Sequence, residues 1–481
     1  MIARAALLVL FVVARAGAQV PSPTVEGPIT SPGGAFLPAT TIDLASVGYR
    51  EEEYFMSGTA SAYVNIGPLG LDGMWTVTPG DTASYKTRIV VFRPIDARKF
   101  SGTVFVEWLN VSGGVDSAPD WILGHVEAIR GGHAWVGVSA QFAGVEGGGG
   151  LLPIVDLGLK KVSPARYGSL HHPGDSFSYD MFSQAGTAVR QPAGTRPLGE
   201  LAVQRVIAVG ESQSAFRMVT YIDAIHPLTH VYDGYFVHSR GAFGAALSEA
   251  PEPDIPVPGA VIIRADVGVP VLTFETETDL TFLGYFSARQ DDGPNFRLWE
   301  VAGTSHADTY TTVAGMGDVG TSPDVVNLII TNEPVPGIIV CGAAINSGPQ
   351  HFVINAALAA LNRWVRRGRP PRSAPRLEVS AGPPLAIQKD EHGNALGGVR
   401  TPQVDVPIAT FTGEQAGPII CRLFGTTTPF DGAELASLYP SHPTFVSAYR
   451  KALRRSVRAG WILRPDAKLM REWAAGAAVG G

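Results

Sequence analysis

Arg205-Val-Ile-Ala-Val-Gly-Glu-Ser-Gln-Ser-Ala215 is the stretch whose reading decides the fold. Arg205 to Val209 is a short apolar run of the kind buried on both faces of a parallel sheet. Gly210-Glu-Ser-Gln-Ser214 then sets a serine in a tight turn. Ala215, Val219, Ile222 and Ile225 follow at helical spacing until Pro227 stops the pattern. A serine displayed between strand and helix needs small residues two before and two after it, because the two elements approach closely around a strained turn. Gly210 meets that demand fully and Ser214 approximately. Two other pentapeptides have the same form, Gly174-Asp-Ser176-Phe-Ser178 and Gly303-Thr-Ser305-His-Ala307. Ser176 follows the turn chemistry of His171-His-Pro-Gly174, and Ser305 precedes a β-branched run without helical period. Ser212 is the candidate nucleophile.

Outward from this stretch, strand patterns fall at Tyr49 to Tyr54, Thr87 to Phe92, Thr103 to Trp108 and Ala134 to Val138 on the N-terminal side. Tyr235 to Val237, Val269 to Phe274 and Phe296 to Val301 follow on the C-terminal side. Helical spacing appears at Trp121 to Ile129, Ala215 to Ile225, Phe352 to Arg367 and Pro443 to Arg458. Strands alternating with helices predict an α/β fold, a mostly parallel central sheet with helices on both faces. Residues 19–45, rich in Pro, Gly, Ser and Thr, read as an extended lead-in, and 46–371 as the main domain. Residues 372–481 read as a C-terminal extension packed on that body, with a turn region at Asp390 to Asn394 and a small-residue tail from Ala474. Gly147 to Gly150 is read as a loop, since no Lys-Ser/Thr follows it to make a phosphate cradle.

A serine hydroxyl needs a base, and the base an orienting acid. In this architecture they come later, in the order Ser, Asp or Glu, His, each just past a strand. The strand ending at Phe274 runs into Glu275-Thr-Glu277-Thr-Asp279, so Asp279 is the candidate acid with Glu277 its rival. Phe296 to Val301 leads into His306, the candidate base, whereas His226, His230 and His238 precede the acid. The N–H of Gln213, at a helix start, would supply one oxyanion donor. The loop Trp108-Leu-Asn110-Val111-Ser-Gly113-Gly114 would supply the other, through the N–H of Val111 or a contribution from Asn110. Asn110-Val111-Ser112 also matches a glycosylation sequon, which a site there would make accidental. Trp108, Trp121, Trp135, Phe142 and Tyr167 are candidates to line an apolar pocket, with core packing the first job expected of most.

The chain has 481 residues, with 37 Lys+Arg against 43 Asp+Glu and a net charge of −6, and 45% of it is apolar. That is too apolar for a disordered chain. A nucleic-acid binder is not indicated, since the basic runs (Arg366, Arg367 and Arg369; Arg454 and Arg455) are short. Met1-Ile-Ala-Arg4, the apolar Ala5 to Val13 and Ala16-Gly17-Ala18 read as a signal peptide, residues 1–18, cleaved after Ala18. The apolar run is too short to span a bilayer, which takes about 20 residues. A secreted or periplasmic location follows. Cys341 and Cys421 are the only cysteines, and pairing them closes a loop of 80 positions, worth roughly 4 kcal/mol in the chain-entropy model. No metal-ligand spacing is present, and no cofactor is expected.

The chain resembles the α/β-hydrolase superfamily, and within it the exported proteins called alpha/beta hydrolase domain-containing. The likeness rests on Arg88-Ile-Val-Val-Phe-Arg-Pro94, Val106-Glu-Trp-Leu-Asn-Val-Ser-Gly-Gly114, Arg166-Tyr-Gly-Ser169 and His172-Pro-Gly-Asp175. It continues through Gly210-Glu-Ser-Gln-Ser-Ala215, Tyr232-Asp-Gly234 and Trp299-Glu-Val-Ala-Gly-Thr-Ser-His306. The resemblance implies Ser212 as nucleophile, Asp279 as acid and His306 as base; Ser214 in place of Gly is its one departure at the elbow. The expected activity is hydrolysis of carboxylic esters, small or polymeric, through an acyl-enzyme. Amidase or acyltransferase chemistry on the same residues is the alternative, and a non-catalytic binding protein on the same scaffold stands as a further one.

Overall fold

The apolar runs become strands because each is buried on two faces. In the computed structural model, which describes residues 20–31, 34–152, 154–380 and 382–480, every residue of Thr103–Trp108 is buried. The leader and its cleavage site after Ala18 lie outside the described residues. In chain order the strands of the main sheet are β1 (Thr24–Glu26), β2 (Tyr49–Asn65), β3 (Val77–Pro94), β4 (Thr103–Trp108) and β5 (Ala134–Val138). They continue as β6 (Ala193–Gly194), β7 (Arg205–Glu211), β8 (Gly234–His238), β9 (Val271–Glu275) and β10 (Phe296–Glu300). Their spatial order is β10-β9-β8-β7-β4-β5-β3-β2-β1-β6.

From β5 through β4, β7, β8 and β9 to β10 the strands run parallel, and β3, β2 and β1 extend the sheet antiparallel. β4 lies between β5 and β7, so the order reverses there. The crevice beyond the carboxyl ends of β4 and β7 is the switch point at which open α/β sheets bind ligands.

The helices that matter to the site are α1 (Pro119–Arg130), α2 (Ser178–Ala188), α3 (Gln213–Thr220), α4 (Glu277–Thr281), α5 (Gln350–Arg367), α6 (His442–Ala459) and α7 (Arg464–Gly476). Side chains alternate across the sheet. Val104, Val106, Val206 and Ala208 join α2 and α3 in one cluster. Phe105, Ile207, Val209 and Phe236 join α1, α5, α6 and α7 in the other. Residues beyond 372 therefore share a core with the sheet. A small hairpin, β11 (Ala409–Thr412) with β12 (Thr426–Pro429), stands apart from the main sheet.

Several elements exceed the sequence expectation. β2 and β3 run 17 and 18 residues, because antiparallel pairing continues residue by residue through the small and polar Ser57-to-Ser61 stretch, of which only Thr59 is exposed. α2 has no amphipathic period because nearly every residue in it is buried. α7 replaces the start of the expected tail. Its buried residues are Asp466, Ala467, Leu469, Met470 and Ala474, an acid and two alanines among them diluting the apolar signal. The helix after the elbow also changes character, as α3 passes into a π turn over Tyr221–Ile225.

Candidate active site

Ser212 sits at the tip of the turn between β7 and α3 with φ 58° and ψ −122°, in a region side-chain-bearing residues rarely adopt. Its N–H donates to His238 O (2.9 Å), and its own carbonyl accepts from Phe216 N–H (3.1 Å), which pins the turn at both ends. The demand for small neighbours is met. A Cβ on Gly210 would lie 3.0 Å from Met218 Cγ and 3.1 Å from Ser214 O. Ser214 is fully buried, and its hydroxyl has no partner among the described residues.

Asp279 comes from the third position of α4, directly after β9. Thr276 caps that helix, and its N–H and Oγ1 both donate to Asp279 Oδ2 at 2.7 Å. This leaves Oδ1 to accept from His306 Nδ1 at 2.7 Å, and His306 Nε2 lies 2.7 Å from Ser212 Oγ. The three side chains read from the sequence thus form one hydrogen-bonded line. Burial by itself favours neutral groups, yet the charge of His306 and the bonds from His306 and Thr276 hold Asp279 below the usual carboxylate range. For His306, burial opposes the charged form, but the charges of Asp279 and Glu211 outweigh it and raise the imidazole above 6.5.

Glu277 points elsewhere. Its carboxylate accepts from Gly303 N–H (2.7 Å) and Gly413 N–H (3.0 Å), and burial pushes it to about 7. It ties α4 to the loop that carries His306 and to the C-terminal segment. The other serines are also engaged: Ser176 Oγ bonds Ser248 Oγ (3.0 Å), and Ser305 Oγ donates to Ala307 O (2.6 Å). His238 binds Asp120 Oδ1 (2.8 Å) beneath the sheet's end, and His226 bonds Val267 O and Tyr235 OH.

The backbone N–H groups of Gln213, next to Ser212, and of Val111 have no protein acceptor among the described residues. Asn110 does not join them. Its amide is committed to Glu211 O and Glu211 Oε2, both at 3.1 Å, while its Oδ1 accepts from Ser112 N–H at 2.7 Å. Asn110 shapes the loop rather than offering a donor.

Glu211 is the residue that sequence reasoning passed over. Its Oε1 stands 3.3 Å from His306 Nε2, and burial raises its carboxyl to about 7. The expected pocket aromatics are core: Trp108, Trp121, Trp135 and Tyr167 are buried, Trp135 stacked on Phe92 and Trp121 tilted against it, and Phe142 alone of the five reaches solvent at 42%. Next to the elbow it is Phe216, one turn into α3, that stacks on the exposed Phe243 (centroids 5.0 Å apart). Cys341 and Cys421 form a disulfide. Its cluster of Ile339, Ile345 and Phe424 packs against Ala307, next to His306. Among the described residues no group of three or more His, Cys, Asp or Glu is arranged to hold a metal ion.

Solved structures to which the chain is similar include a glucuronoyl esterase from Solibacter usitatus, 12% identical over 60% of this chain and 82% of its own, with a TM-score of 0.30. An esterase from the fungus Rhizomucor miehei is 12% identical over 68% and 93%, also at 0.30. Acetyl xylan esterase 1 from Thermoanaerobacterium sp. JW/SL YS485 is 10% identical over 58% and 81%, at 0.29. Likeness at this level does not reach the substrate. No curated protein matches the chain. The family model described as "Alpha/beta hydrolase domain" matches residues 21–472, nearly all of the sequence, and the chain belongs to that family.

Proposed function

We propose that the chain is an exported serine hydrolase of carboxylic esters. The observation that carries this reading is the line from Asp279 through His306 to Ser212, with each link at 2.7 Å. In the proposed reaction, Ser212 Oγ attacks the ester carbonyl as His306 Nε2 takes its proton. Asp279 holds the imidazole in the correct tautomer and offsets its charge. The N–H groups of Gln213 and Val111 receive the oxyanion. His306 then returns the proton to the leaving alcohol, and the acyl group stays on Ser212. Water enters, gives a proton to His306 and attacks the acyl carbonyl; the bond to Ser212 Oγ then breaks as His306 Nε2 returns that proton to Oγ, and the acid is released. The Phe216–Phe243 pair offers an apolar surface to one arm of the ester.

Export belongs to the same proposal. The Cys341–Cys421 disulfide supports it, because such bonds persist in oxidising compartments. Among the described residues no helix is long and apolar enough to cross a membrane. The division of the chain at residues 371 and 372 into body and packed extension is likewise our reading.

The test is a fluorophosphonate probe on the folded protein, with peptide mapping of the adduct. Labelling on Ser212 is expected, with loss of labelling in Ser212→Ala and loss of ester turnover by about 10⁴-fold or more. An adduct on Ser176 or Ser305, or none, overturns the assignment. Faster turnover of an anilide than of the matching ester would move the activity to amides.

A further inference from the structure

The two basic runs of the sequence are short and lie far apart in the chain, yet the fold brings them to one face. A cleft of about 390 Å³ lies between the ends of α5 and α6, and its only charged lining side chains are Arg363, Arg367, Arg369, Arg372 and Arg458. A second cleft of about 290 Å³ adjoins it through Arg458, and its charged lining is again only arginine: Arg450, Arg454, Arg458 and Arg471. Among the described residues, none of these arginines has a carboxylate within ion-pair distance; nearby Arg455, by contrast, pairs with Asp405 at 2.9 Å. This happens on a chain whose acidic residues outnumber its basic ones.

Helix dipoles account for part of the pattern only. Arg366, Arg367 and Arg458 lie in the last turns of α5 and α6, where cations are favoured. Arg369 and Arg372 lie past the end of α5, and Arg450 and Arg454 lie within α6. Arg450, Arg454 and Arg458 follow one another at four-residue spacing, a stripe with steps of about 6 Å along one helix face. Like charges at that spacing destabilise a helix in isolation. An anion laid along the stripe removes the repulsion.

The face is remote from Ser212. Gln350, at the start of α5, reaches His238 at the carboxyl end of β8, whereas Asn362 bonds Thr103 at the start of β4 and Val365 packs over Gly234 at the start of β8. α5 therefore runs against the strands. Its arginines sit at their amino ends, about 27 Å of helix away from the catalytic edge.

We propose that this face binds a linear acidic polysaccharide, with uronate or sulfate groups seated on the arginines. Arginine's planar fork matches flat oxyanions and holds them by paired hydrogen bonds. Two adjoining clefts that share Arg458, one of them lined by the Arg450, Arg454 and Arg458 stripe, suit an extended chain. The aromatic ring of the first cleft, Trp299, is only 1% exposed, so no stacking platform for nucleic-acid bases is offered. The assignment does not depend on the catalytic reading.

The test uses the full folded protein with polygalacturonate and heparin as probes and neutral dextran as control, at 50 and 300 mM salt. Binding to at least one of the acidic chains and not to dextran is expected, weakened tenfold or more by salt. The Arg367→Gln/Arg458→Gln and Arg454→Glu/Arg458→Glu variants should bind tenfold or more weakly, with melting temperature and turnover of a small soluble ester unchanged. Uronate chains binding without heparin selects carboxylates, and the reverse selects sulfates. Binding to neither acidic chain, binding indifferent to the substitutions, or binding only to phosphatidylglycerol vesicles or to single-stranded DNA overturns the proposal.

Discussion

Glu211 and Ser212 Oγ both face one atom, His306 Nε2, at 3.3 and 2.7 Å. A base must be neutral to accept a proton, and the carboxylates of Asp279 and Glu211 both favour its charged form. The acidic limb of kcat/KM should therefore lie above pH 6.5. Glu211→Gln removes one of these charges while keeping a carbonyl for Asn110, so the limb should move to lower pH. A pH–rate profile from 5 to 8 checks it; an unmoved limb removes Glu211 from the electrostatics of the base. The alignment of Ser212, Asp279 and His306 could be anticipated from the sequence because each lies one to six residues past a strand whose apolar run is plain. The coupling of Glu211 could not, because it depends on where a strand-end side chain turns. The same is true of Asn110, whose loop was found but whose amide faces Glu211.

At the level of elements, the loop of the base hangs on a segment more than a hundred residues away. Ala307 N–H donates to Leu423 O (3.0 Å), and the Ser305 hydroxyl, bonded to Ala307 O, also lies 3.1 Å from Phe424 O. Asn346 links Gly303 O to Thr412 O and donates its own N–H to Phe424 O. The Cys341–Cys421 bond fastens this brace, and its cluster touches Ala307. The Cys341→Ala/Cys421→Ala variant should lose about 2–4 kcal/mol in a denaturant titration. It should also lose about tenfold in kcat with little change in KM, since a small misplacement of a catalytic group costs rate more than binding. An unchanged kcat would make the disulfide a matter of stability alone. Cysteine count and spacing allowed the pairing to be anticipated, but not the brace, because its hydrogen bonds are to backbone carbonyls that any residue carries.

Over the whole molecule, one face of the sheet and the C-terminal helices share a single apolar cluster, in which Phe445 is fully buried beside Tyr439, Tyr449 and Trp473. Phe445→Ala should cost about 3–5 kcal/mol and shift one cooperative unfolding transition. Two transitions, with only one of them moved, would make residues 372–481 a separate unit. The central strands and α1, α5 and α6 were legible because their patterns are periodic and their residues large. α2, buried all round, and α7, with an acid and two alanines among its buried residues, carry no comparable signal. The length of the β2–β3 hairpin is hidden for a third reason: its outer half alternates small and polar residues that look like loop.

The backbone at Ser212 has one more consequence. A side-chain-bearing residue held at φ 58° costs of order 1–3 kcal/mol, and glycine would relieve most of it. The sturdiest version of this protein is then one that has lost its hydroxyl at position 212. A laboratory lineage chosen only for surviving heat would drift toward Ser212→Gly and go silent, so evolving a hardier form requires turnover to be scored in every round.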